Sequence, residues 1–370
     1  MNVYEKIGLK KAINASGKMT ALGATAVSQE VAEMIKKASM EYVEISSLID
    51  KAGEIISKYT GGEDSCVTVG ASAGIAISVA ATIAKDNLSL IEKMPKSDGL
   101  KNEIIIQKGH SINFGAPINQ MIMLGGGIPV EVGQANKVEY QHVEKAINDK
   151  TTALIYIKSH HTVQKGMLSI EKMIEIAHNH KLPLIIDAAA EEDLKKYVKL
   201  GADMVIYSGG KAIGGPTSGF ITGKEEWIKY CKEQYKGIGR AMKVGKENIM
   251  GLLKAIELYG KADVEGKALE NRNKMNDMVK ELNLIKGIEA VLIQDEAGRD
   301  IYRARIKIDE EKVGMTAFEL IKRLETGDIA IYTRDYYANI GYIDIDPRPL
   351  NDGDEKIIIS RIAEIINSKK

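Results

Sequence analysis

Lys211 lies in the run Tyr207-Ser-Gly-Gly-Lys-Ala-Ile-Gly-Gly-Pro216. Its glycines let the main chain approach a bound molecule closely, and its one amine can serve as a nucleophile. The run is not a P-loop, because the G-x-x-x-x-G-K-[ST] spacing is absent and Ala212 follows the lysine. Alone, such a lysine reads more readily as a solvated loop residue. Asp187 changes that reading. It closes the apolar run Pro183-Leu-Ile-Ile-Asp187, and a carboxylate at the mouth of a buried strand has little water around it and needs a cation. The plainer role for it is to cap the helix that follows. A strand-end aspartate, one strand–helix unit and then a glycine-flanked lysine form a more specific pattern than either residue alone.

Other polar groups follow other strands. Gly70-Ala-Ser-Ala-Gly74 opens a small-residue helix, Ile75–Ala84, and the free amides at such a start form an anion cup, here with the Ser72 hydroxyl beside it. Tight helix–sheet packing is the other use of such small residues, and the two are compatible. His110 follows the strand Ile104–Gln107, and Ser159, His160 and His161 follow Ala153–Ile157. Adjacent histidines on extended backbone face opposite ways, and no acid or cysteine stands at ligand spacing, so no metal is expected. An amine, a buried anion, a phosphate cup and a stacking ring are what pyridoxal 5′-phosphate (PLP) requires of a protein. Lys211 would carry it as a Schiff base, with Asp187 at its pyridine nitrogen. Gly70, Ala71, Ser72, Ala73 and Ser208 would take the phosphate, His110 would cover the ring, and Ser159 and the histidine pair would sit near its phenolic oxygen or the substrate.

The elements that must hold these groups alternate along the chain. Strands are predicted at Cys66–Val69, Ile104–Gln107, Pro129–Val132, Ala153–Ile157, Pro183–Asp187, Asp203–Tyr207 and Gly219–Thr222. Several are apolar throughout, as in strands covered on both faces. Amphipathic helices fall between them at Glu139–Asp149, Ser169–His180 and Glu192–Leu200. This predicts an α/β domain with a seven-stranded, mostly parallel sheet, which presents functional residues at strand C-termini. After Gly245 a long helix, Lys246–Leu284, leads to strands near Ile288–Ile293, Arg303–Ile308, Ile329–Tyr332 and Tyr342–Ile345, with helices near Ala317–Leu324 and Asp354–Ser368. Residues 1–245 are therefore expected to form an N-terminal segment and a large domain, and 246–370 a linking helix and a small α+β domain.

Composition narrows the function. Basic and acidic residues number 51 each, so the basic surplus of a nucleic-acid binder is missing. No apolar run is long enough for a bilayer, and the N-terminus lacks the apolar core of a secretory signal. Cys66 and Cys231 are too few for a disulfide framework. A soluble cytoplasmic protein is expected.

Ile13-Asn-Ala-Ser-Gly17, Gln107-Lys-Gly-His110, Pro183–Ala190, Ser208–Gly215 and Gly239-Arg-Ala-Met-Lys-Val-Gly-Lys246 together resemble the bacterial selenocysteine-synthase-like group of fold-type-I PLP enzymes, over nearly the whole chain. The ammonia-lyase branch is the most similar. The resemblance implies an aspartate-aminotransferase-like large domain, PLP on Lys211, Asp187 at the ring nitrogen, and a homodimer or larger homo-oligomer with active sites at subunit interfaces. Asn14–Gly17 stands almost at the start of the chain, so an N-terminal tRNA-binding domain is not expected. With the neutral charge, this favours a small anionic amino acid over tRNA as substrate. The reaction implied is loss of water and ammonia from a hydroxy amino acid, with Lys211 removing the α-proton and His160, His161 or Lys211 protonating the leaving hydroxyl. Arg240, Lys243, Arg334, Arg348 and Asn14 are the candidates for holding the substrate, the arginines because their forks match carboxylate and phosphate.

Overall fold

In the computed structural model, which describes residues 3–159, 161–295 and 299–368, all seven predicted strands of the large domain enter one sheet. In chain order the strands are β1 Lys11–Ala15, β2 Asp64–Thr68, β3 Glu103–Gln107, β4 Ile128–Val132, β5 Thr151–Ile157, β6 Leu184–Asp187, β7 Met204–Ser208, β8 Gly219–Gly223, β9 Ile288–Gln294, β10 Tyr302–Ile308, β11 Ile329–Thr333 and β12 Tyr342–Ile345. The large sheet runs β2-β8-β7-β6-β5-β3-β4. Strand β8 is antiparallel to both neighbours, and the remaining pairs are parallel. The C-terminal ends of the six parallel strands therefore share one edge. Alternate residues face opposite layers. Leu154 and Tyr156 join a core that includes Leu48, Ile176 and Leu252, whereas Ala153, Ile155 and Ile157 join one that includes Ile77, Ile122 and Ile228. The helix Ala71–Ala84 is apolar all round and buried from Ala73 onward, as befits a helix pressed directly on the sheet.

The chain divides into two units, Val27–Lys261 and Met1–Ala26 with Ala262–Lys370, which differs from the expected boundary at residue 245. The predicted helix over 246–284 is two helices, Lys246–Lys261 and Val264–Leu282. The break has a local cause: Asp263 accepts the Gly266 N–H at 2.9 Å and caps a new helix. Leu252 and Ile256 of the first helix are buried in the large unit's core, while Met275, Met278 and Leu282 of the second are buried in the other unit's core. Residues 1–26 group with the C-terminal part because β1 pairs in parallel with β11. That unit also holds the antiparallel sheet β12-β10-β9.

Two helices are shorter than expected, Tyr140–Glu144 and Lys196–Lys199. The second begins late because the Asp193 carboxylate accepts the N–H groups of Lys195 and Lys196. Tyr259 and Tyr207 pin the preceding segment through the Glu192 and Asp193 carbonyls, at 2.7 and 3.0 Å. Among the described residues, no helix is long and apolar enough to cross a membrane, and no group of three or more His, Cys, Asp and Glu side chains is placed to hold a metal ion.

Candidate active site

Strand order gathers the predicted polar groups of the large unit along the shared edge. Register places Thr68 and Ser208 on either side of Gly219, and Asp187 between Ile157 and Ile206. The loops beyond are tied together. Lys158 N–H donates to the Asp187 carbonyl at 2.8 Å, and Ser208 N–H to the Ala189 carbonyl at 3.3 Å.

Asp187 is 8% exposed and accepts the Ala189 N–H at 3.1 Å. Burial raises its carboxyl to about 6, against the opposing pull of the Lys211 charge and that amide. The Ala189 amide is the hydrogen bond this carboxylate accepts among the described residues. The Lys211 loop is held by its glycines. Gly209 N–H bonds the Ser218 carbonyl at 2.8 Å, and Gly215 N–H bonds the Gly209 carbonyl at 2.7 Å. A Cβ on Gly209 would lie 2.2 Å from Ser218 Oγ, and Gly214 has φ +74°. Gly214 N–H reaches back to the Lys211 carbonyl at 3.2 Å.

At the Ala71 helix, Gly70 is the N-cap and no side chain caps the turn. The first amide bonded within the helix is that of Gly74, to the Gly70 carbonyl at 3.0 Å, so the amides of Ala71, Ser72 and Ala73 have no partner within the helix. The packing reading of this segment has direct support, since a Cβ on Gly74 would meet Ile206 Cγ2 at 2.7 Å.

His110 departs from expectation. It is fully buried, with Tyr156 edge-on at 4.5 Å and 79°, so it presents no open face for stacking. Its Nδ1 accepts Ile157 N–H at 3.3 Å, while Nε2 is buried without a partner among the described residues. Burial first, and the charge of Lys158 second, lower its pKa to about 4, leaving the ring neutral. Ser159 Oγ accepts the N–H of the exposed His161 at 3.2 Å. His160 lies outside the described residues. Arg240 and Lys243 are exposed on the 3-10 turn Ile238–Met242 and just after it.

The remaining substrate candidates belong to the other unit. Asn14 uses both ends of its amide in its own turn, accepting Ser16 N–H at 3.0 Å and donating to the Gly17 carbonyl at 2.8 Å. Arg348 grips Asp346 with Nε at 2.9 Å and NH2 at 2.8 Å. Arg334 donates to the Ser16 carbonyl at 3.3 Å and has no carboxylate within ion-pair distance among the described residues. Its pKa is lowered by burial and by Arg303, against the pull of Asp346 and Asp344. Sequence reasoning missed Lys158, although it directly follows the apolar run of β5. It also missed the Arg303–Asp346 pair, whose partners lie 43 residues apart.

An amine beside a buried carboxylate, next to uncapped helix amides, can hold an electron-poor ring with an anionic tail. A model of the family described as "SelA: L-seryl-tRNA selenium transferase" matches residues 12–340. The chain belongs to the SelA family. Within that family it is 47% identical to D-glucosaminate-6-phosphate ammonia lyase of Salmonella typhimurium, over 98% of each chain. It is 38% identical to 5'-C-glycyluridine monooxygenase-decarboxylase of a Streptomyces species, over 98% of this chain and 92% of that one. A solved D-glucosaminate-6-phosphate ammonia-lyase superposes with a TM-score of 0.94 at 47% identity, covering 100% of this chain and 99% of that one. Aspartate aminotransferase from Thermus thermophilus shares the fold, with a TM-score of 0.53 at 13% identity over 98% of this chain and 93% of that one.

Proposed function

We propose that this SelA-family protein is a PLP-dependent ammonia-lyase converting D-glucosaminate 6-phosphate to 2-dehydro-3-deoxy-6-phosphogluconate. Water leaves first, and hydrolysis of the resulting enamine releases ammonia. The observation that carries the chemistry is Asp187, a buried carboxylate lacking full compensation within the charge of Lys211. The substrate is taken from the relative at 47% identity.

The residues fit the cofactor by donor chemistry. Lys211 offers the amine for its aldehyde, and Asp187 a charge for the protonated ring nitrogen. The amides of Ala71, Ser72 and Ala73, with the hydroxyls of Ser72 and Ser208, suit its phosphate. When bound, PLP supplies an electron sink for a carbanion at the substrate α-carbon. Lys211 would remove the proton at that carbon. Asp187 would hold a proton at the ring nitrogen by its charge. His161, His160 or Lys211 protonates the departing β-hydroxyl. Arg334 is the strongest arginine for an anionic substrate group, because Arg348 is already committed to Asp346. Arg240 and Lys243 are exposed and open to the same role, whereas Asn14 is engaged in its own turn.

Release of ammonia and 2-keto acid in equal amounts, lost in Lys211→Ala, tests the reading; no release would overturn it. The monooxygenase-decarboxylase relative favours a second reading, a different amino acid at the same site, and oxygen consumption across an amino-acid panel separates the two. A cytoplasmic homo-oligomer completes the proposal. Met40, Val43 and Ile45 are exposed around a fully exposed Tyr42, an apolar surface suited to cover by a second copy. Light scattering tests that assembly.

A further inference from the structure

We infer that Lys158 determines substrate specificity, its ammonium taking an anionic group of the substrate, with Gln164 as its positioning residue. The inference rests on the small anionic substrate proposed above and names a group that binds it.

Lys158 is the first residue past β5, and its N–H is bonded to the Asp187 carbonyl at 2.8 Å. That places it at the same sheet edge as the candidate cofactor residues. The residue is of intermediate exposure, and the hydrogen bond of its ammonium is exposed. Nζ bonds the neutral carbonyl oxygen of Gln164 at 3.2 Å, and among the described residues no carboxylate stands within ion-pair distance. An ammonium whose partner among the described residues is a neutral amide oxygen keeps donors available to an anionic ligand.

The loop around it is built to hold that charge still. Gln164 Nε2 donates to the Ser159 carbonyl at 2.8 Å and to the Thr162 hydroxyl, which fixes the oxygen facing Lys158. Gln107, fully buried, clasps the far end of the loop with both halves of its amide. Its Oε1 accepts Leu168 N–H at 2.7 Å, and its Nε2 donates to the Leu168 carbonyl at 3.3 Å. Val163 N–H bonds the Gly109 carbonyl at 3.0 Å, and Val138 N–H the Gly166 carbonyl at 2.8 Å. A Cβ on Gly109 would stand 2.6 Å from the Ala135 carbonyl, and one on Gly166 2.3 Å from that of Asn136. A charge on a loop this constrained is preorganised for a ligand rather than free to find one.

The anionic group is either the carboxylate or the phosphate of the substrate, and one experiment distinguishes them. Gluconate and glucose 6-phosphate, each carrying one of the two groups, are titrated calorimetrically into the holoenzyme and into Lys158→Met, Lys158→Arg and Gln164→Glu. Lys158→Met should weaken one probe about tenfold to a hundredfold, the range of one charge-assisted hydrogen bond, and leave the other unchanged. The probe that suffers identifies the group. Lys158→Arg should restore most of the affinity. Gln164→Glu, which gives Lys158 an internal counter-ion, should weaken the same probe. KM for D-glucosaminate 6-phosphate should rise with Lys158→Met by a similar factor, and kcat should change less. Equal affinity for both probes in wild type and Lys158→Met, or no binding of either probe by wild type, overturns the inference. Loss of probe affinity without any turnover of the amino sugar acid would instead count against the substrate reading and leave the role of Lys158 standing.

Discussion

Asp187 and Asp346 are both buried aspartates, one in each unit, and their surroundings act in opposite directions. Asp346 is wholly inaccessible, yet Arg303 Nε lies at 2.9 Å, and Arg348 adds two contacts at 2.9 and 2.8 Å. Burial would raise its carboxyl, but the charges and hydrogen bonds of Arg348 and Arg303 outweigh it and hold the group well below the usual carboxylate range. Asp187 keeps 8% of its surface and rises to about 6, because one amide and a nearby lysine charge do not offset burial. A buried acid with its full complement of partners is scaffold. One left short of partners marks a place where a ligand is meant to complete it.

The comparison can be broken at either end. Asp346→Asn should destabilise the protein by about 3 kcal/mol, because it removes the carboxylate shared by Arg303 and Arg348 while Arg303 keeps Asp295 at 2.9 Å, and urea denaturation at neutral pH measures it. An unchanged midpoint would mean that the network is dispensable.

Asp187→Asn should do the reverse in cofactor-free protein. The carboxyl moves from 3.8 to about 6 on folding, so between those values the folded state holds more protons and stability falls as pH rises. Above pH 6 the ionised group costs up to about 3 kcal/mol. The variant should be more stable than wild type by up to that amount at pH 8, with the difference vanishing below about pH 4. Its turnover should nevertheless drop about a hundredfold or more. A variant less stable than wild type at pH 8 would place Asp187 with the scaffold.

Smaller in effect, Gly209→Ala should cost about 1–3 kcal/mol and weaken cofactor retention, because its Cβ has no room beside Ser218 Oγ. Retention is read from the visible absorbance remaining after dialysis.

The strands and the site were unequally legible in the sequence. Strands β2 to β8 announce themselves as apolar runs alternating with helices, so Asp187, Lys211 and Gly70 were visible as strand-end residues, whereas the order β2-β8-β7-β6-β5-β3-β4 was not. The pairing of β1 with β11 was not, because it joins segments more than 300 residues apart and neither carries a signature of its partner. The break before Val264 depends on one capping aspartate inside a continuous helical pattern. His110 was legible as a site-proximal histidine, but its enclosure by Tyr156 belongs to tertiary packing, which spacing does not encode. Lys158 looked like any lysine after a strand, because its distance from every carboxylate among the described residues is visible only in three dimensions.

The claim that Lys211 is the cofactor lysine is tested most directly by borohydride reduction of the purified yellow protein, followed by proteolysis and mass mapping. The account predicts loss of the visible band and a single pyridoxyl-phosphate adduct on the peptide carrying Lys211, absent in Lys211→Ala. A colourless protein, or an adduct on another lysine, would contradict it.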